Sequence, residues 1–507
     1  MDNYLIGIDI GTTSVKSVLF TSQGKIVSKY ALDYPLYSPV SSAAEQDPEE
    51  IFTATINIVR QVVAQSKVNP KKIIALSFSS AMHSLIAVDG EGKPLTQSIT
   101  WADNRSAEVV ETIRQWHSEE SLYQRTGLPL HPMSPLVKIF WLKQKYPEIF
   151  KQATKFISIK EYVLFKLFHQ YVVDYSMAAA TGLFNLKEFA WDEEILAFLG
   201  ISKKQLSQVV PTTHILDLME PKYSSYMGLS TQISTIVGSS DGVLSNLGLG
   251  ALKPGVTVVT VGTSGAVRTS INKVSLSFPS RLFCYPLTAK HWVIGGASNS
   301  GGNTLQWLKK QLLETEENYE TLTALAQKIA PGAEGLIFHP YLTGERAPLW
   351  NPNAKGSFFG LSLRHGKAHL VRAVLEGVVY NLYSIFQSLA PLNSETKVIK
   401  ATGGFANSEL WRQILADVFE QEVIVPTQLE SSCLGAIILA LYALQHIPSL
   451  DSFTPLIQES YTHQVIRENS QIYRKVMPVY QHLGTKFREE YSYLQQALSS
   501  QETINGK

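Results

Sequence analysis

The chain has 507 residues, of which 45% are hydrophobic and 17% are charged, and its formal net charge is +1. This composition is typical of globular proteins, and the near-neutral charge gives no general attraction to nucleic acid or to a membrane surface. The length predicts two large lobes or three smaller domains. Two cysteines, Cys284 and Cys433, lie far apart, so neither a disulfide framework nor a zinc site is indicated. The N-terminus does not resemble a signal peptide, and we expect a cytoplasmic protein.

The start of the chain predicts three strands followed by a helix. The β-rich runs at residues 5–9, 15–20 and 26–30 are separated by turn residues, which predicts an antiparallel meander. Asp47 followed by Pro48 is typical of a helix N-terminus, and the apolar residues that follow recur with helical spacing.

The rest of the chain suggests a second copy of this plan. Residues 106–230 are mostly helical by pattern. Later, a strand at 256–261, a turn that carries hydroxyl groups and a second strand at 266–269 repeat the plan of the first hairpin. A similar hairpin that recurs about half the chain length later suggests two lobes of one design. We therefore predict an N-terminal domain at 1–246 and a C-terminal domain at 247–507. An apolar run at 433–444 is too short to cross a bilayer and predicts a buried helix.

The first hairpin carries residues suited to phosphate. A tight turn between two strands exposes backbone N–H groups, hydroxyl side chains add donors, and a lysine adds positive charge. The residues concerned are Gly11, Thr12, Thr13, Ser14 and Lys16. Asp9, in the preceding apolar strand, is expected to meet a cation, and Mg²⁺ accompanying a nucleotide is the natural candidate. The alternative is an ordinary hairpin in which Asp9 caps the turn.

The second hairpin and a later glycine pair could hold the rest of a nucleotide. Gly262 and Thr263 form a similar small turn, and the pair Gly403 and Gly404 could admit a planar base or ribose. Neither the GxxxxGK[ST] pattern nor a GxGxxG turn between a strand and a helix occurs.

Asp241 and the segments around residues 83 and 101 carry side chains that could bind an alcohol and accept its proton. Asp241 follows a strand within a small-residue turn, where it could accept a proton from an alcohol; the alternative is a helix N-cap. His83, in a loop, is either a substrate contact or an ordinary satisfied histidine. Trp101 could stack on a sugar face while its polar neighbours Asp103 and Arg105 bind hydroxyl groups.

Together these residues resemble the FGGY family of carbohydrate kinases, from about residue 6 to residue 444. The segment 356–376 matches the family's C-terminal signature at Gly356, Phe358, Gly360, Leu361, His369, Leu370, Ala373 and Glu376. The N-terminal signature is matched at Met133, Pro135, Lys138, Trp141 and Leu142, and Lys145 departs from it. At positions where glycerol kinases carry an arginine and a glutamate, this chain has Met82 and His83, which argues against glycerol.

The resemblance implies an α/β fold of the two-lobed actin-like ATPase type, related to ribonuclease H, with a duplicated core and a central catalytic cleft. It implies ATP and Mg²⁺ as cofactors, Asp241 as catalytic base and Asp9 at the metal. By the same resemblance, Gly302 and Gln306 contact the nucleotide, and Gly403, Gly404, Asn407 and Ser408 form the adenosine pocket. His83, Trp101, Asp103 and Arg105 fall where family members line the sugar site.

The expected substrate is D-gluconate, because the segments around His83, Trp101 and Arg346 most resemble members that phosphorylate it. Xylulose or another ketose or polyol is the alternative, and a non-catalytic actin-like ATP-binding switch is an alternative of another class. Gluconate carries a carboxylate, for which Arg105, Lys160 and Arg346 are candidate partners. A small-molecule sugar substrate, a possible homodimer and no nucleic-acid or membrane partner are expected.

Overall fold

The computed structural model describes residues 3–253, 255–274, 276, 281–392, 396–426, 430–453 and 460–505. Contacts between Cα atoms divide the chain into two compact units, each discontinuous in sequence. The first unit comprises Met1–Lys253, Ser270–Ile294 and Leu429–Leu456, and the second comprises Pro254–Thr269, Gly295–Gln428 and Ile457–Lys507. Three stretches of the predicted second domain, 247–253, 270–294 and 429–456, therefore group with the first unit, and the predicted boundary at residue 246 stays a prediction.

The strands follow one another along the chain as short segments, most of them in one of two larger sheets. In chain order they are β1 (Tyr4–Ile10), β2 (Ser14–Thr21), β3 (Ile26–Asp33), β4 (Glu45–Gln46), β5 (Ile73–Ser80), β6 (Ile86–Val88), β7 (Ser98–Ile99), β8 (Lys155–Ile157), β9 (Val172–Asp174), β10 (Phe184–Asn185), β11 (Ala190–Trp191), β12 (Gln208–Val210), β13 (Ser234–Ser240), β14 (Val256–Val261), β15 (Gly265–Ile271), β16 (Phe283–Thr288), β17 (His291–Ser298), β18 (Ile337–His339), β19 (Ser357–Phe359), β20 (Val398–Thr402), β21 (Glu422–Pro426) and β22 (Ser460–His463).

The α-helices connect and cover these strands. They are α1 (Pro48–Ser66), α2 (Val110–Trp116), α3 (Glu119–Thr126), α4 (Pro135–Lys145), α5 (Pro147–Gln152), α6 (Ile159–Phe168), α7 (Tyr175–Ala179), α8 (Glu193–Leu199), α9 (Pro221–Met227), α10 (Asp241–Gly248), α11 (Gly302–Trp307), α12 (Tyr319–Gln327), α13 (Lys367–Leu389), α14 (Glu409–Phe419), α15 (Ser431–Ala443) and α16 (Arg467–Asn505). Within the described residues, none of these helices has the length and apolarity that a bilayer crossing requires.

The first unit contains a five-stranded sheet with the order β13-β5-β1-β2-β3. β1 pairs antiparallel with β2, and β2 pairs antiparallel with β3, so the predicted meander is confirmed. β1 also pairs parallel with β5, which pairs parallel with β13. The carboxyl ends of β1, β5 and β13 therefore meet at one edge of the sheet.

Helix α1 covers the apolar face of this sheet. Its predicted start is confirmed, because the Asp47 carboxylate accepts hydrogen bonds from the backbone N–H groups of Glu49 at 2.8 Å and Glu50 at 3.2 Å. Ile58 and Val62 on its inner face are fully buried in the same cluster as the isoleucines of β1. Burial of branched side chains between helix and sheet supplies the main stabilisation of this layer.

The second unit repeats the same pairing plan. β14 pairs antiparallel with β15 across a short turn and parallel with β20, as β1 pairs with β2 and β5. β20 then pairs parallel with β21, which pairs antiparallel with β22. The duplicated design expected from the two similar hairpins is therefore present in the strand pairings.

Helices α10 and α15 of the first unit approach each other through glycines. A Cβ on Gly248 or on Gly435 would lie 2.0 Å from a carbonyl oxygen of the other helix, and a Cβ on Gly7 of β1 would lie 2.3 Å from the Cys433 carbonyl of α15. No side chain fits at such distances, so only glycine permits these contacts. They fix α10, which begins at Asp241, against α15 and β1. The two cysteines are free and buried.

Candidate active site

The turn between β1 and β2 is closed by its own backbone. The Gly11 N–H donates to the Ser14 carbonyl at 3.0 Å, and a Cβ on Gly11 would lie 2.9 Å from that oxygen. Among the described residues, no acceptor lies against the backbone N–H groups of Thr12 and Thr13. Unpaired amides beside hydroxyl side chains in a tight turn can donate to phosphate oxygens. The turn therefore offers the kind of donors that the sequence analysis predicted.

Thr12 also contacts the segment predicted to bind sugar. The Trp101 Nε1–H donates to Thr12 Oγ1 at 2.8 Å, and Gln46 Nε2 donates to the Thr12 carbonyl at 2.6 Å. The fold thus joins Thr12, predicted to contact phosphate, to Trp101, predicted to stack on a sugar, although 89 positions separate them.

Asp9 lies near the carboxyl end of β1 and faces β5. The Ser79 hydroxyl donates to Asp9 Oδ1 at 2.7 Å, and no donor among the described residues lies against Oδ2. Burial raises the pKa of Asp9, although the Ser79 hydrogen bond and the charge of Lys16 oppose that rise. The alternative of a turn cap is not what the structure shows, because the carboxylate accepts from a neighbouring strand and not from a turn amide. A carboxylate with one unsatisfied oxygen is a suitable ligand for a hydrated divalent cation.

Lys16 makes an ion pair that the sequence analysis did not predict. Its Nζ lies 2.7 Å from Glu430 Oε2, and Lys29 Nζ lies 3.1 Å from the other oxygen of the same carboxylate. Burial is the largest single effect and lowers the pKa of Lys16, but the hydrogen bond to Glu430 and the negative charge of Glu430 and Asp9 together raise it, and the net shift is upward. Lys16 therefore stays charged, and Glu430 holds it beside the turn. Glu430 lies 414 positions away in sequence, so no local pattern pointed to it.

Asp241 is the first residue of α10 and follows β13 directly. The N-cap position belongs to Ser240, whose side chain makes no capping bond, so the N-cap alternative for Asp241 does not hold. Asp241 Oδ1 accepts from the Gly242 N–H at 2.6 Å, which orients the carboxylate at the end of the strand.

A buried polar network fixes the end of β13, immediately before Asp241. Lys160 Nζ lies 2.7 Å from Asp174 Oδ2, and both side chains are almost completely buried. Asp174 caps α7 by accepting from the Ser176 N–H at 3.0 Å, and the Ser176 hydroxyl contacts Ser239 Oγ at 2.7 Å and the Ser240 N–H at 2.9 Å. Burial lowers the pKa of Lys160, and the charge of Asp174 opposes that effect. Lys160, predicted as a partner for a substrate carboxylate, is therefore already paired.

His83 is held in a strained loop after β5. Its φ is +69°, in the left-handed region that residues with a side chain rarely adopt. Its Nδ1 lies 2.7 Å from the Ala180 carbonyl, which requires a proton on Nδ1, and Nε2 lies 3.5 Å from the Tyr285 hydroxyl. Tyr285 belongs to a segment that the sequence analysis did not connect with this loop.

Asp103 and Arg105 bind each other. The buried Asp103 carboxylate accepts from the Ala44 N–H at 2.9 Å, from the Arg105 N–H at 3.0 Å and from Arg105 Nε at 3.0 Å. The Arg105 guanidinium also pairs with Glu45 and lies 5.0 Å from the centre of the Trp141 ring. Both predicted sugar contacts thus carry protein partners that shape the loop around Trp101.

In the second unit, the turn after β14 is joined to the start of α11. The Gly262 N–H donates to the Ser264 carbonyl at 2.9 Å, the Gly302 N–H donates to the Gly262 carbonyl at 2.7 Å, and the Asn303 N–H donates to the Thr263 carbonyl at 3.2 Å. The structure thereby brings together Gly262, Thr263 and Gly302, which the sequence analysis predicted as nucleotide contacts. Gln306 lies exposed on the same short helix.

The glycine pair after β20 lies beside this turn. Thr402, the last residue of β20, pairs with Thr260 of β14, which ends one residue later at Val261. Gly403 and Gly262 therefore begin the turns that follow two neighbouring strands. Gly403 has a φ of +115°, and a Cβ there would lie 2.2 Å from the Val261 carbonyl, whereas a Cβ on Gly404 would meet open space.

The remaining predicted residues of the second unit follow the glycine pair or lie in a later loop. Asn407 ends a short turn of 3₁₀ helix, and Ser408 caps α14 by accepting from the Trp411 N–H at 3.2 Å. Arg346 is buried, and its guanidinium donates to Asn299 Oδ1 at 2.8 Å and to the Ser298 carbonyl at 2.9 Å.

Two sheets of the same pairing plan, each with a hairpin turn beside the carboxyl end of a parallel strand, define an α/β protein of the actin-like ATPase class. Residues 4–248 match the N-terminal domain, and residues 257–444 the C-terminal domain, of the FGGY family of carbohydrate kinases. The chain belongs to the FGGY family of carbohydrate kinases. It is therefore a phosphotransferase that acts on an alcohol group, and its family implies the use of ATP.

Two curated relatives span nearly the whole chain. Gluconokinase from Bacillus subtilis is 48% identical over 504 residues, which are 97% of this chain and 98% of the relative. Xylulose kinase from Staphylococcus epidermidis is 29% identical over 480 residues, covering 94% of this chain and 95% of the relative.

Two solved structures from Lactobacillus acidophilus have the same fold. One, described as a gluconate kinase, superimposes with a TM-score of 0.93, and the other, described as a ligand-bound xylulose kinase, superimposes with a TM-score of 0.92. Each is 36% identical to this chain, of which it covers 97%, and each is itself covered completely.

Proposed function

We propose that this protein transfers the γ-phosphoryl group of ATP to a terminal hydroxyl of D-gluconate, giving 6-phosphogluconate and ADP. The observation that carries the substrate is the 48% identity to a gluconokinase over 97% of the chain, against 29% for a xylulose kinase. The two solved structures do not separate these substrates, because the identity to each is 36%. A xylulokinase, or another ketose or polyol kinase, is therefore the alternative to be tested.

Asp241 is the proposed general base. Its carboxylate lies at the end of β13, its orientation is set by the Gly242 N–H, and the strand end behind it is fixed by Ser176. A carboxylate so held can accept the proton of the attacking hydroxyl while the phosphoryl group is transferred in line. A rigid support matters because a displaced base loses much of its effect.

The two hairpin turns are the proposed phosphate contacts. Thr12 and Thr13 offer backbone N–H groups that no acceptor of the described residues occupies, Ser14 adds a hydroxyl, and Lys16 adds a charge that Glu430 holds nearby. In the second unit the corresponding group is the turn at Gly262 and Thr263 with Gly302 beside it. Such donors stabilise charge that develops on transferring phosphoryl oxygens. Adenosine is proposed to bind at Gly403, Gly404 and Asn407, with Ser408 and Gln306 at the border of this pocket.

Mg²⁺ is the proposed metal, at Asp9. The residue fits, because Asp9 Oδ2 lacks a donor among the described residues and Mg²⁺ commonly binds one or two carboxylates together with water and phosphate. When bound, the ion neutralises charge on the nucleotide phosphates.

His83 and Trp101 are the proposed sugar contacts. Asp103 and Arg105 are each satisfied by protein partners, so we propose that they shape the loop that carries Trp101. Since Arg105 and Lys160 already face carboxylates, their attraction for a second carboxylate is reduced.

A substrate panel tests the proposal. Purified protein is assayed with gluconate, xylulose, ribulose and glycerol by ADP release, and the product is identified by mass. We expect the highest kcat/KM with gluconate and a product with the mass of phosphogluconate. A higher kcat/KM with xylulose would replace the gluconate assignment. ATP binding without phosphorylation of any sugar would favour a non-catalytic switch.

Two further expectations stay predictions. A homodimer is tested by light scattering of the purified protein, and a cytoplasmic location by cell fractionation.

A further inference from the structure

Lys138 is a completely buried lysine that the proposed chemistry does not use. It lies on α4 with a relative exposure of 0%, among the largest fully buried side chains of the described residues. It also occupies the lysine position of the family's N-terminal signature, for which the sequence offered no physical reason. Burying an ammonium group costs several kcal/mol unless it is fully hydrogen-bonded, so its surroundings require an explanation.

The Lys138 ammonium is saturated by backbone carbonyls. Its Nζ donates to the carbonyl oxygens of His83 at 2.6 Å, Thr100 at 2.6 Å and Ile99 at 3.2 Å. An ammonium group has three donors and no acceptor, so these three carbonyls use its capacity completely. Among side chains, only the lysine ammonium carries three N–H donors on one atom.

These carbonyls belong to the two segments that carry the proposed sugar contacts. His83 itself is in one, and Thr100 directly precedes Trp101 in the other. The segments are also joined by backbone hydrogen bonds between Leu85 and Ile99, at 2.9 and 3.0 Å, so Ile99 would keep a donor without the lysine. The His83 and Thr100 carbonyls would instead lose the donor supplied by Lys138.

His83 is the residue most dependent on this bond. A φ of +69° is unfavourable for a side-chain-bearing residue and persists only where surrounding contacts impose it. Lys138 fixes the His83 carbonyl, and Ala180 fixes its ring, so the backbone and the side chain are held from separate elements.

We propose that Lys138 is a positioning residue for the sugar: its ammonium holds the His83 and Thr100 carbonyls and thereby fixes His83 and Trp101 for substrate binding. This rests on the proposed sugar kinase function, but it concerns the geometry of the two segments whichever sugar is used.

Lys138→Met tests the proposal with Lys143→Met as the control. Lys143 lies on the same helix and its Nζ donates to the Leu199 carbonyl at 2.9 Å, which is remote from both segments. We expect Lys138→Met to raise the KM for the best sugar of the panel by at least ~10-fold and to leave the KM for ATP within ~2-fold, because misplaced contacts weaken sugar binding. Lys143→Met should change neither constant.

Hydrogen exchange provides a readout that does not depend on the sugar. Peptides covering residues 81–85 and 98–103 should exchange faster in Lys138→Met, while peptides of α8 should exchange faster only in Lys143→Met. If Lys138→Met does not fold, Lys138→Arg decides, because it keeps the charge but moves the donors and should still raise the sugar KM selectively. An unchanged sugar KM, or an equal rise in both KM values, would overturn the proposal. Failure of the wild-type protein to phosphorylate gluconate would refute the substrate assignment and leave the exchange result interpretable.

Discussion

Asp9 and Asp241 belong to the same edge of one sheet, because Ser79 of β5 pairs in register with Asp9 on one side and with Ser239, two residues before Asp241, on the other. Neighbouring strands lie about 4.8 Å apart, so one intervening strand separates the two aspartate-bearing strands by roughly 10 Å. That spacing leaves room for a phosphoryl group with a cation on one side and an alcohol on the other. The two carboxylates can therefore have different roles.

Replacing Asp241 by asparagine removes the proposed base and keeps the shape of the side chain. We expect kcat for gluconate to fall by at least ~10²-fold with little change in ATP affinity, because a positioned general base contributes on this scale. Steady-state kinetics and nucleotide titration measure both quantities. Ser240→Ala is the control, since Ser240 Oγ makes no hydrogen bond within the described residues. A near-normal kcat in Asp241→Asn would show that Asp241 is not the general base.

Asp9→Asn should alter the requirement for Mg²⁺. Loss of one carboxylate ligand weakens the attraction for the ion, so half-maximal activity should need at least several-fold more Mg²⁺. The measurement is activity against Mg²⁺ concentration at saturating ATP. Asp33→Asn is the control, because Asp33 lies at the exposed end of β3 in the same sheet. Identical Mg²⁺ dependence in Asp9→Asn and wild type would contradict the metal assignment.

Alanine substitutions at the adjacent glycines Gly403 and Gly404 of the second unit should have very different effects on stability. Gly403→Ala combines a φ of +115° with a Cβ only 2.2 Å from the Val261 carbonyl, so we expect a loss of at least ~1–3 kcal/mol in the free energy of unfolding. Gly404→Ala meets open space and should change stability by less than ~0.5 kcal/mol. Urea unfolding measures both. A raised KM for ATP in stable Gly404→Ala would support the adenosine pocket, and equal stability of the two variants would contradict the geometry.

The buried pair of Lys160 and Asp174 predicts a large effect on stability. Asp174→Asn would leave the Lys160 ammonium buried without its countercharge, which costs about 3–5 kcal/mol. The exposed pair of Lys151 and Glu148 is the control, because Glu148→Gln should cost less than about 1 kcal/mol. Denaturant unfolding distinguishes the two, and equal effects would show that the first pair is not desolvated as the structure indicates.

Lys138 predicts opposite pH effects on sugar binding and on stability. Burial lowers its pKa to about 7 from an ordinary value of 10.5; the charge of Asp103 favours the ammonium and that of Arg105 disfavours it. As pH rises through about 7, the folded protein loses the third donor and the KM for sugar should rise, whereas Lys138→Met lacks this component.

The same titration affects unfolding with the reverse sign. Between pH 7 and about 10 the unfolded chain binds the Lys138 proton more tightly than the folded chain, so this group makes the free energy of unfolding rise with pH. The difference between wild type and Lys138→Met in unfolding experiments across this range isolates the effect. If the difference in free energy of unfolding between the two proteins does not change with pH over this range, the lowered pKa of Lys138 is contradicted.

Local sequence patterns predicted the elements that depend on near neighbours. The meander of β1, β2 and β3 and the cap of α1 at Asp47 follow from alternation, turn residues and a capping side chain within a few positions. The second hairpin was predicted for the same reason, and its pairing with β20 completes the duplication.

Residues whose partners lie far away in the chain could not be predicted this way. The Glu430 partner of Lys16 lies 414 positions away and the Glu45 partner of Arg105 lies 60 positions away, so no local pattern predicts either ion pair. The sequence identified Lys138 only as part of a family signature, because a pattern of side chains carries no information on three backbone carbonyl oxygens that converge in the fold.

The glycines at positions 7, 248 and 435 also bear on how such an enzyme can be re-engineered. Because β1, α10 and α15 meet main chain to main chain there, a side chain at any of these positions would displace the elements that carry Asp9 and Asp241. Libraries aimed at a new acceptor should therefore leave these three glycines untouched, and they should also keep Lys138, which holds the loops around His83 and Trp101.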